Sequence, residues 1–393
     1  MTGRGSRRPK ARIRPPVQGE ALSEAHPAGS ARPTPGSTTP GPRPGRGRPW
    51  GSRAWTAYAP AACKVCAGTL WADCQRCDGG SRVEAVAKRR ADIETWLRPN
   101  PLDALFGRIA PRVETQHFAL VVDVSELPEG RKKVGPHALA HRIAADVEHV
   151  AERVAEHYRI EPSDYRAKMR MWLWRTLADH QKAMQRFLGT TTTGDFKLLG
   201  RDPVFSVWTE PGNFDDVYKV RSVFAHNSAH MLTSNAIEEV WVGDEGGGWL
   251  DAGLGHWYEY EIFGRTSNYC IEEATAPSNW EKGVWRAPIR RRLERERDPF
   301  LPGLLPKHTG AMSQAESAIS WSFYDFLVAR HSDVLRAMLA DLKKKQRSPR
   351  AILEEHLGQD LFEIERAWRA WVAETYPIKG DEPRAPGAGG KKR

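Results

Sequence analysis

The sequence predicts an α+β protein, with strands and a long helix in its middle part and helices throughout its C-terminal third. Residues 116–124 form an apolar run typical of a strand, and residues 169–174 alternate in the manner of a strand with one buried face. Between them, residues 139–158 repeat large apolar side chains at helical spacing, which indicates a strongly amphipathic helix. Helical spacing returns across residues 313–375.

Two more elements follow the second strand. Residues 178–187 predict a helix. The apolar runs 196–199 and 204–208 flank the tripeptide Gly200-Arg201-Asp202, and this combination predicts a hairpin. We therefore expect a strand, a long helix, a strand, a shorter helix and a hairpin, in this order along the chain.

Two helices with polar residues come next. Asp215 is a suitable N-cap for a helix that carries His226 and His230. The glycines at 246–248 lack the spacing of a phosphate-binding loop, and they predict a turn into a helix over Trp249–Glu259. In the last helix, four apolar residues form a stripe typical of a protein core: Ile364, Trp368, Trp371 and Val372.

Both ends of the chain predict disorder. Residues 1–58 are rich in Arg, Pro, Gly, Ser and Thr, so this arm cannot bury enough apolar surface to offset the entropy lost on ordering. Residues 376–393 form a short basic tail of similar character. The arm is a polyanion-binding segment, a solvated linker or the product of a wrongly assigned start codon, and the sequence leaves these alternatives open.

The net charge of +10 is concentrated at these ends. Residues 1–54 hold eleven Lys or Arg against two Glu, and residues 379–393 hold five against two acidic residues, which leaves −2 for residues 55–378. A nucleic-acid-binding domain carries its basic residues on the folded surface, so we do not expect the folded part to bind nucleic acid. No apolar run is long enough to predict a membrane span, and no secretory signal is recognisable. The cytoplasm is the default location, with export as the alternative if the start is misassigned.

Four of the five cysteines lie close together, at Cys63, Cys66, Cys74 and Cys77. Two CxxC pairs, each followed closely by glycine, predict a structural zinc ion bound by four thiolates in a zinc ribbon over residues 59–82. Two disulfides are the alternative if the chain is exported. The ribbon resembles half of the zinc-binding region of J-domain chaperones, and a helical linker over 83–111 follows it. The sequence assigns no role to Cys270.

The most informative motif is His226-Asn-Ser-Ala-His230. Two histidines four apart on a helix point the same way and can bind one metal ion. In the HExxH motif of zinc peptidases, the residue after the first histidine is a glutamate that acts as general base. Asn227 occupies that position here, and an amide cannot accept a proton near neutral pH.

The order of elements and the HxxxH helix resemble the gluzincin branch of zinc metallopeptidases, the peptidase MA-like domains of many bacterial proteins. The family's second-helix motif W-L-x-E-G-L-A-x-Y falls into register with residues 249–257. Its tail is similar to residues 315–327, 351–358 and 364–371. The resemblance covers residues 112–375 and implies a zincin-like domain with a small mixed sheet, the HxxxH helix and a helical C-terminal part.

The resemblance implies that His226 and His230 are metal ligands, but two other family positions differ. Asn227 replaces the general base, and Ala252 replaces the glutamate that is the third zinc ligand. His256 lies one helical turn beyond Ala252 and is a possible substitute ligand. Asp251 and Glu259 are the nearest acidic residues. A second zinc ion at this site is therefore open to question.

Three functions follow as alternatives. The first is a non-catalytic, peptidase-like binding or structural module with an unknown peptide or protein partner. The second is an active zinc hydrolase that uses His226, His230 and His256, with Asp251 or Glu259 as base. The third is a zinc-ribbon adaptor that binds protein or nucleic acid. The sequence does not identify the substrate, the partner or the oligomeric state.

Overall fold

The structure is a computed structural model, and it describes residues 101–108, 110–200, 202–244, 246–268, 270 and 280–379. The predicted arm, the zinc ribbon with Cys63, Cys66, Cys74 and Cys77, and most of the linker and of the basic tail lie outside these residues. Within them the fold is α+β, with a small sheet and many helices, as the sequence predicts.

The strands are β1 (Arg112–Glu114), β2 (Phe118–Val122), β3 (Leu127–Glu129), β4 (Lys132–Val134), β5 (Met169–Trp174), β6 (Phe196–Leu198) and β7 (Val204–Trp208). The helices up to the midpoint are α1 (Pro101–Phe106), α2 (Pro136–Tyr158), α3 (Leu177–Leu188), α4 (Val217–Asn235) and α5 (Gly248–Phe263). The later helices are α6 (Arg286–Arg295), α7 (Leu301–Leu304), α8 (Gln314–His331), α9 (Leu335–Lys344), α10 (Pro349–Leu357) and α11 (Leu361–Thr375).

Five strands form one mixed sheet in the order β1-β2-β5-β7-β6. The three central strands are parallel, whereas β1 and β6 pair antiparallel at the edges. The antiparallel pairing of β6 with β7 confirms the predicted hairpin. Strands β3 and β4 form a separate two-stranded antiparallel sheet just before α2.

Both faces of the sheet are covered, which corrects the prediction that β5 buries only one. Met171 and Leu173 belong to the main core, which also includes the apolar stripe of α2. Trp172 and Trp174 point to the opposite face and pack in a smaller core with Ala183 of α3. The alternation along β5 was recognisable, but the side chains on its second face are tryptophans that α1 and α3 shield from water.

His180 of α3 lies in this smaller core and gives a pH dependence to stability. Its Nδ1 is 2.8 Å from Ser206 Oγ, and burial lowers its pKa to about 4. Between pH 6.5 and 4 the unfolded chain therefore binds a proton that the folded chain does not. We expect the free energy of unfolding to fall with decreasing pH in this window, with His180 contributing about 1.4 kcal/mol per pH unit.

Urea unfolding of the wild type and His180→Gln between pH 4 and 8 measures this contribution. Below pH 6.5, the free energy of unfolding should fall more steeply with decreasing pH in the wild type than in His180→Gln, by about 1.4 kcal/mol per pH unit. Parallel profiles would contradict the prediction.

The two helices that carry the candidate site lie on the main-core side of the sheet. Helix α4 packs between α2 and α5, and α5 packs in turn against α8. Nearly every residue of α4 is buried, as expected for a helix surrounded by other elements. Its N-cap is Asp216, whose side chain accepts from the Lys219 backbone amide at 2.8 Å. The predicted cap, Asp215, lies one residue too early and instead accepts from the Gly212 amide.

The C-terminal end of α4 is held by a buried lysine. Lys343 of α9 is only 3% exposed, and its Nζ donates to the carbonyl oxygens of Ser234, Ala236 and Glu238 at 3.1, 2.7 and 2.7 Å. These oxygens lie at and just beyond the end of α4, where helical carbonyls lack partners within the helix. Burial lowers the pKa of Lys343 to about 7, and in its charged form the group also complements the helix dipole.

The C-terminal helices complete the main core. The predicted stripe of α11 is buried there, which confirms its structural role. Tyr376 follows α11 directly, and its hydroxyl donates to Asp325 of α8 at 2.8 Å. Among the helices that the structure describes, none has both the length and the apolar character that a membrane crossing requires.

Candidate metal centre

Two imidazoles meet at the centre of the fold. His226 and His230 lie one turn apart on α4, and their side chains are 1% and 0% exposed. Their Nε2 atoms are 3.1 Å apart, and the ring planes are inclined at 69°. The structure thus brings together the pair that the HxxxH spacing predicts.

A carboxylate fixes the tautomer of His230. Its Nδ1 is 2.7 Å from Asp251 Oδ1, so this nitrogen carries the proton and Nε2 presents a lone pair. The other carboxylate oxygen of Asp251 accepts from Trp241 Nε1 at 3.1 Å and from Thr309 Oγ1 at 2.8 Å. Burial favours the neutral acid, but these contacts outweigh it and hold the pKa of Asp251 well below its usual range.

His226 faces an acceptor on each side of its ring. Its Nε2 faces the lone pair of His230, and its Nδ1 lies 3.3 Å from Glu259 Oε2. Burial lowers the pKa of His226 to about 3, so the ring is neutral and has a single proton. Either tautomer therefore leaves one nitrogen lone pair against another acceptor. A cation bound at Nε2 removes this conflict, because the proton can then remain on Nδ1.

Cys270 supplies a third donor at the same place. Its Sγ lies 4.0 Å from His226 Nε2 and 3.9 Å from His230 Nε2. A tetrahedral zinc ion with ordinary bond lengths separates two nitrogens by about 3.3 Å and a nitrogen from a sulfur by about 3.6 Å. The observed separations differ from these by a few tenths of an ångström. His226, His230 and Cys270 therefore form a group that could bind a metal ion.

A second group lies on the other side of His226. His256 and Glu259, one turn apart on α5, join His226 as a set of donors that could also bind a metal ion. The structure does not place His256 with His230 and His226 in one donor set, as the three-histidine alternative expects. Instead, His256 lies near Glu259 Oε2, which is 4.0 Å from its Nδ1.

The residue of α5 that faces the imidazole pair is Gly255. A Cβ atom at this position would lie 2.5 Å from His230 Nε2 and 3.1 Å from His226 Cε1. Ala252, which aligns with the family's ligand position, is fully buried in the main core. The lack of a side chain at Gly255 therefore leaves the space beside the imidazoles open.

Asn227 is turned back onto its own helix. Its Nδ2 donates to the Val223 carbonyl at 3.0 Å.

Glu259 Oε1 accepts from the Ser267 amide at 2.6 Å and from Asn268 Nδ2 at 2.8 Å. Burial alone would raise the pKa of Glu259, but contacts with His226 and His256 outweigh it and lower the pKa to about 2. Both nearby carboxylates therefore serve as fixed acceptors.

Sequence reasoning missed Cys270 as a donor. It lies 40 residues beyond His230 and in no recognisable motif, so neither spacing nor periodicity connects it with the pair. Comparison of the chain with protein-family models and with curated proteins gives no match in either set.

Proposed function

We propose that this chain is a metal-binding protein built on a peptidase MA-like frame, and that it does not hydrolyse peptides. In this proposal zinc is bound by His226, His230 and the thiolate of Cys270. The observation that carries it is the convergence of these three donors, with the His230 ring oriented by Asp251. Such carboxylate–histidine pairs commonly orient the ligands of zinc.

The choice of zinc follows from the chemistry of the donors. Two imidazoles and one thiolate suit zinc better than magnesium or calcium, which prefer oxygen ligands. The cysteine proton is released when the metal binds. All three donors are at most 6% exposed, so the ion would be largely shielded from water. A shielded ion held by one helix and a loop is more typical of a structural site than of a catalytic one, which needs an open position.

The order of elements also supports a peptidase-like origin. The strand, long helix, second strand, hairpin, HxxxH helix and second helix follow one another as the resemblance implies. The residues that would catalyse hydrolysis differ from those of the family. Asn227 replaces the general base, and the loss of such a base costs about 10²–10⁴-fold in rate. Asp251 and Glu259, the alternative bases, are already hydrogen-bonded to neighbouring groups.

The proposal retains a structural zinc ion in the ribbon, bound by Cys63, Cys66, Cys74 and Cys77, and a peptide or protein as the partner. The ribbon and the body would then hold separate ions. Removal of one set of ligands should leave the other ion in place.

Cobalt substitution tests the centre in the full-length protein. We expect Co²⁺ to give a sulfur-to-metal charge-transfer absorption that decreases in Cys270→Ser by the contribution of one thiolate. The remaining absorption comes from the ribbon, and Cys63→Ser is the matched control that reduces this remainder. Identical spectra for the wild type and Cys270→Ser would refute the assignment. Peptide hydrolysis that depends on zinc and is lost in His226→Ala would refute the absence of peptidase activity.

A further inference from the structure

We propose that a second divalent cation binds on the far side of His226, between His226 Nδ1, an imidazole nitrogen of His256 and Glu259 Oε2. This inference rests on the proposed function in one respect, because His226 would be shared by the two ions. Its Nε2 would face the ion at Cys270, and its Nδ1 would face the second ion.

Unsatisfied polar atoms mark this second place. His256 is 0% exposed, and neither of its ring nitrogens has a hydrogen-bond partner among the described residues. Glu259 Oε2 and His226 Nδ1 are also buried; they lie 3.3 Å apart and can pair only while Nδ1 carries the proton. Buried polar atoms are nearly always hydrogen-bonded, so the two unpaired nitrogens of His256 beside a buried carboxylate oxygen point to a bound species.

The surroundings favour a cation over any other ligand. Glu259 contributes a buried carboxylate oxygen, Oε2, that lies 3.3 Å from His226 Nδ1 and 4.0 Å from His256 Nδ1. The imidazoles of His226 and His256 contribute lone pairs. The ring of Trp285 packs against His256 edge to face, at 5.1 Å between centroids. A carboxylate oxygen and two imidazole nitrogens are a common ligand set for zinc.

The charge of the centre favours a second ion. With one divalent ion at Cys270, the thiolate and the carboxylates of Asp251 and Glu259 would leave a net charge of −1, and uncompensated charge is very costly in a buried site. A second divalent ion would displace the remaining ring proton of His226 to solvent, which would leave an imidazolate and a net charge of zero.

The geometry requires only side-chain adjustment. Glu259 Oε2 is 3.3 Å from His226 Nδ1 and 4.0 Å from His256 Nδ1. A zinc ion separates such donors by about 3.3 Å, so the His256 ring must move toward Glu259. The two residues lie one turn apart on α5, and therefore this movement needs no change in the helix.

The test compares the zinc content of purified full-length variants with that of the wild type. Each protein is dialysed against excess zinc and then against metal-free buffer before its zinc content is measured. We expect His256→Phe and Glu259→Gln each to lose one zinc ion per chain relative to the wild type. Cys270→Ser should lose one, and His226→Ala should lose two. Circular dichroism and thermal unfolding establish that each variant is folded.

The outcomes separate the two sites. Wild-type zinc content in both His256→Phe and Glu259→Gln would overturn the second site while leaving the first intact. Wild-type content in Cys270→Ser would overturn the proposed function instead. If His226→Ala does not fold, the other three variants still decide, because each of them removes a ligand of one site only.

Discussion

Gly255→Ala should remove the metal ion from the His226–His230 centre. The new Cβ would lie 2.5 Å from His230 Nε2, closer than any ordinary contact and at the atom that donates to the metal. Either the imidazole or the backbone of α5 must shift. We expect loss of one bound ion and a decrease of about 1–3 kcal/mol in the free energy of unfolding from overpacking. Metal analysis and urea unfolding measure the two effects.

Two other glycines provide matched controls. At Gly253 an added Cβ would lie 2.8 Å from the Ser320 carbonyl oxygen, so Gly253→Ala should destabilise the contact of α5 with α8 without affecting the imidazoles directly. At Gly303 of α7 it would meet no atom within 4 Å, and Gly303→Ala should have little effect. Full metal content in Gly255→Ala would show that the space beside His230 is not the binding position.

Asp251→Ala is expected to have the largest effect on stability among single substitutions at the centre. Three donors from separate parts of the chain, on His230, Trp241 and Thr309, lose their acceptor at once. Leaving a buried donor without its acceptor typically costs about 1–3 kcal/mol, and here three donors are affected together. The imidazole of His230 also loses its fixed orientation, which typically lowers metal affinity about 10–100-fold. Urea unfolding and competition with a zinc chelator measure the two quantities.

Asp325→Ala is the control for this substitution. Asp325 accepts from Trp257 Nε1 and the Tyr376 hydroxyl at 2.7 and 2.8 Å, and it does not contact the imidazole pair. Its removal should therefore lower stability and leave zinc affinity unchanged. Equal zinc affinity in the wild type, Asp325→Ala and Asp251→Ala would contradict an orienting role for Asp251.

The elements of the fold were largely predictable because each carries its own pattern. Strand β2, the stripe of α2 and the hairpin of β6 and β7 all lie close to their expected positions. The second buried face of β5 was not predictable from alternation alone. A tryptophan on a strand is compatible with a core or with a surface, and only the docking of α3 decides between them.

The candidate site was predictable only in part, since its geometry depends on how α5 is rotated about its axis. The sequence places His226 and His230 on one face of α4 without further information. The rotation of α5 is set by its packing on α8, where Gly253 approaches the Ser320 carbonyl. That packing directs Asp251 toward His230 and brings Gly255, rather than Ala252, beside the pair. The position of Cys270 depends on the path of a loop, and no local sequence pattern specifies that path.

The hydrogen bonds from Lys343 to the end of α4 limit how early the candidate centre can form during protein synthesis. The helix with both imidazoles ends at Asn235, but the ammonium group that gathers its terminal carbonyls is encoded more than one hundred residues later. Thr309, which holds Asp251, is also distant in the chain. A nascent chain must therefore emerge from the ribosome at least as far as Lys343 before these groups are in place, and the centre cannot reach its final form as an early, independent folding unit.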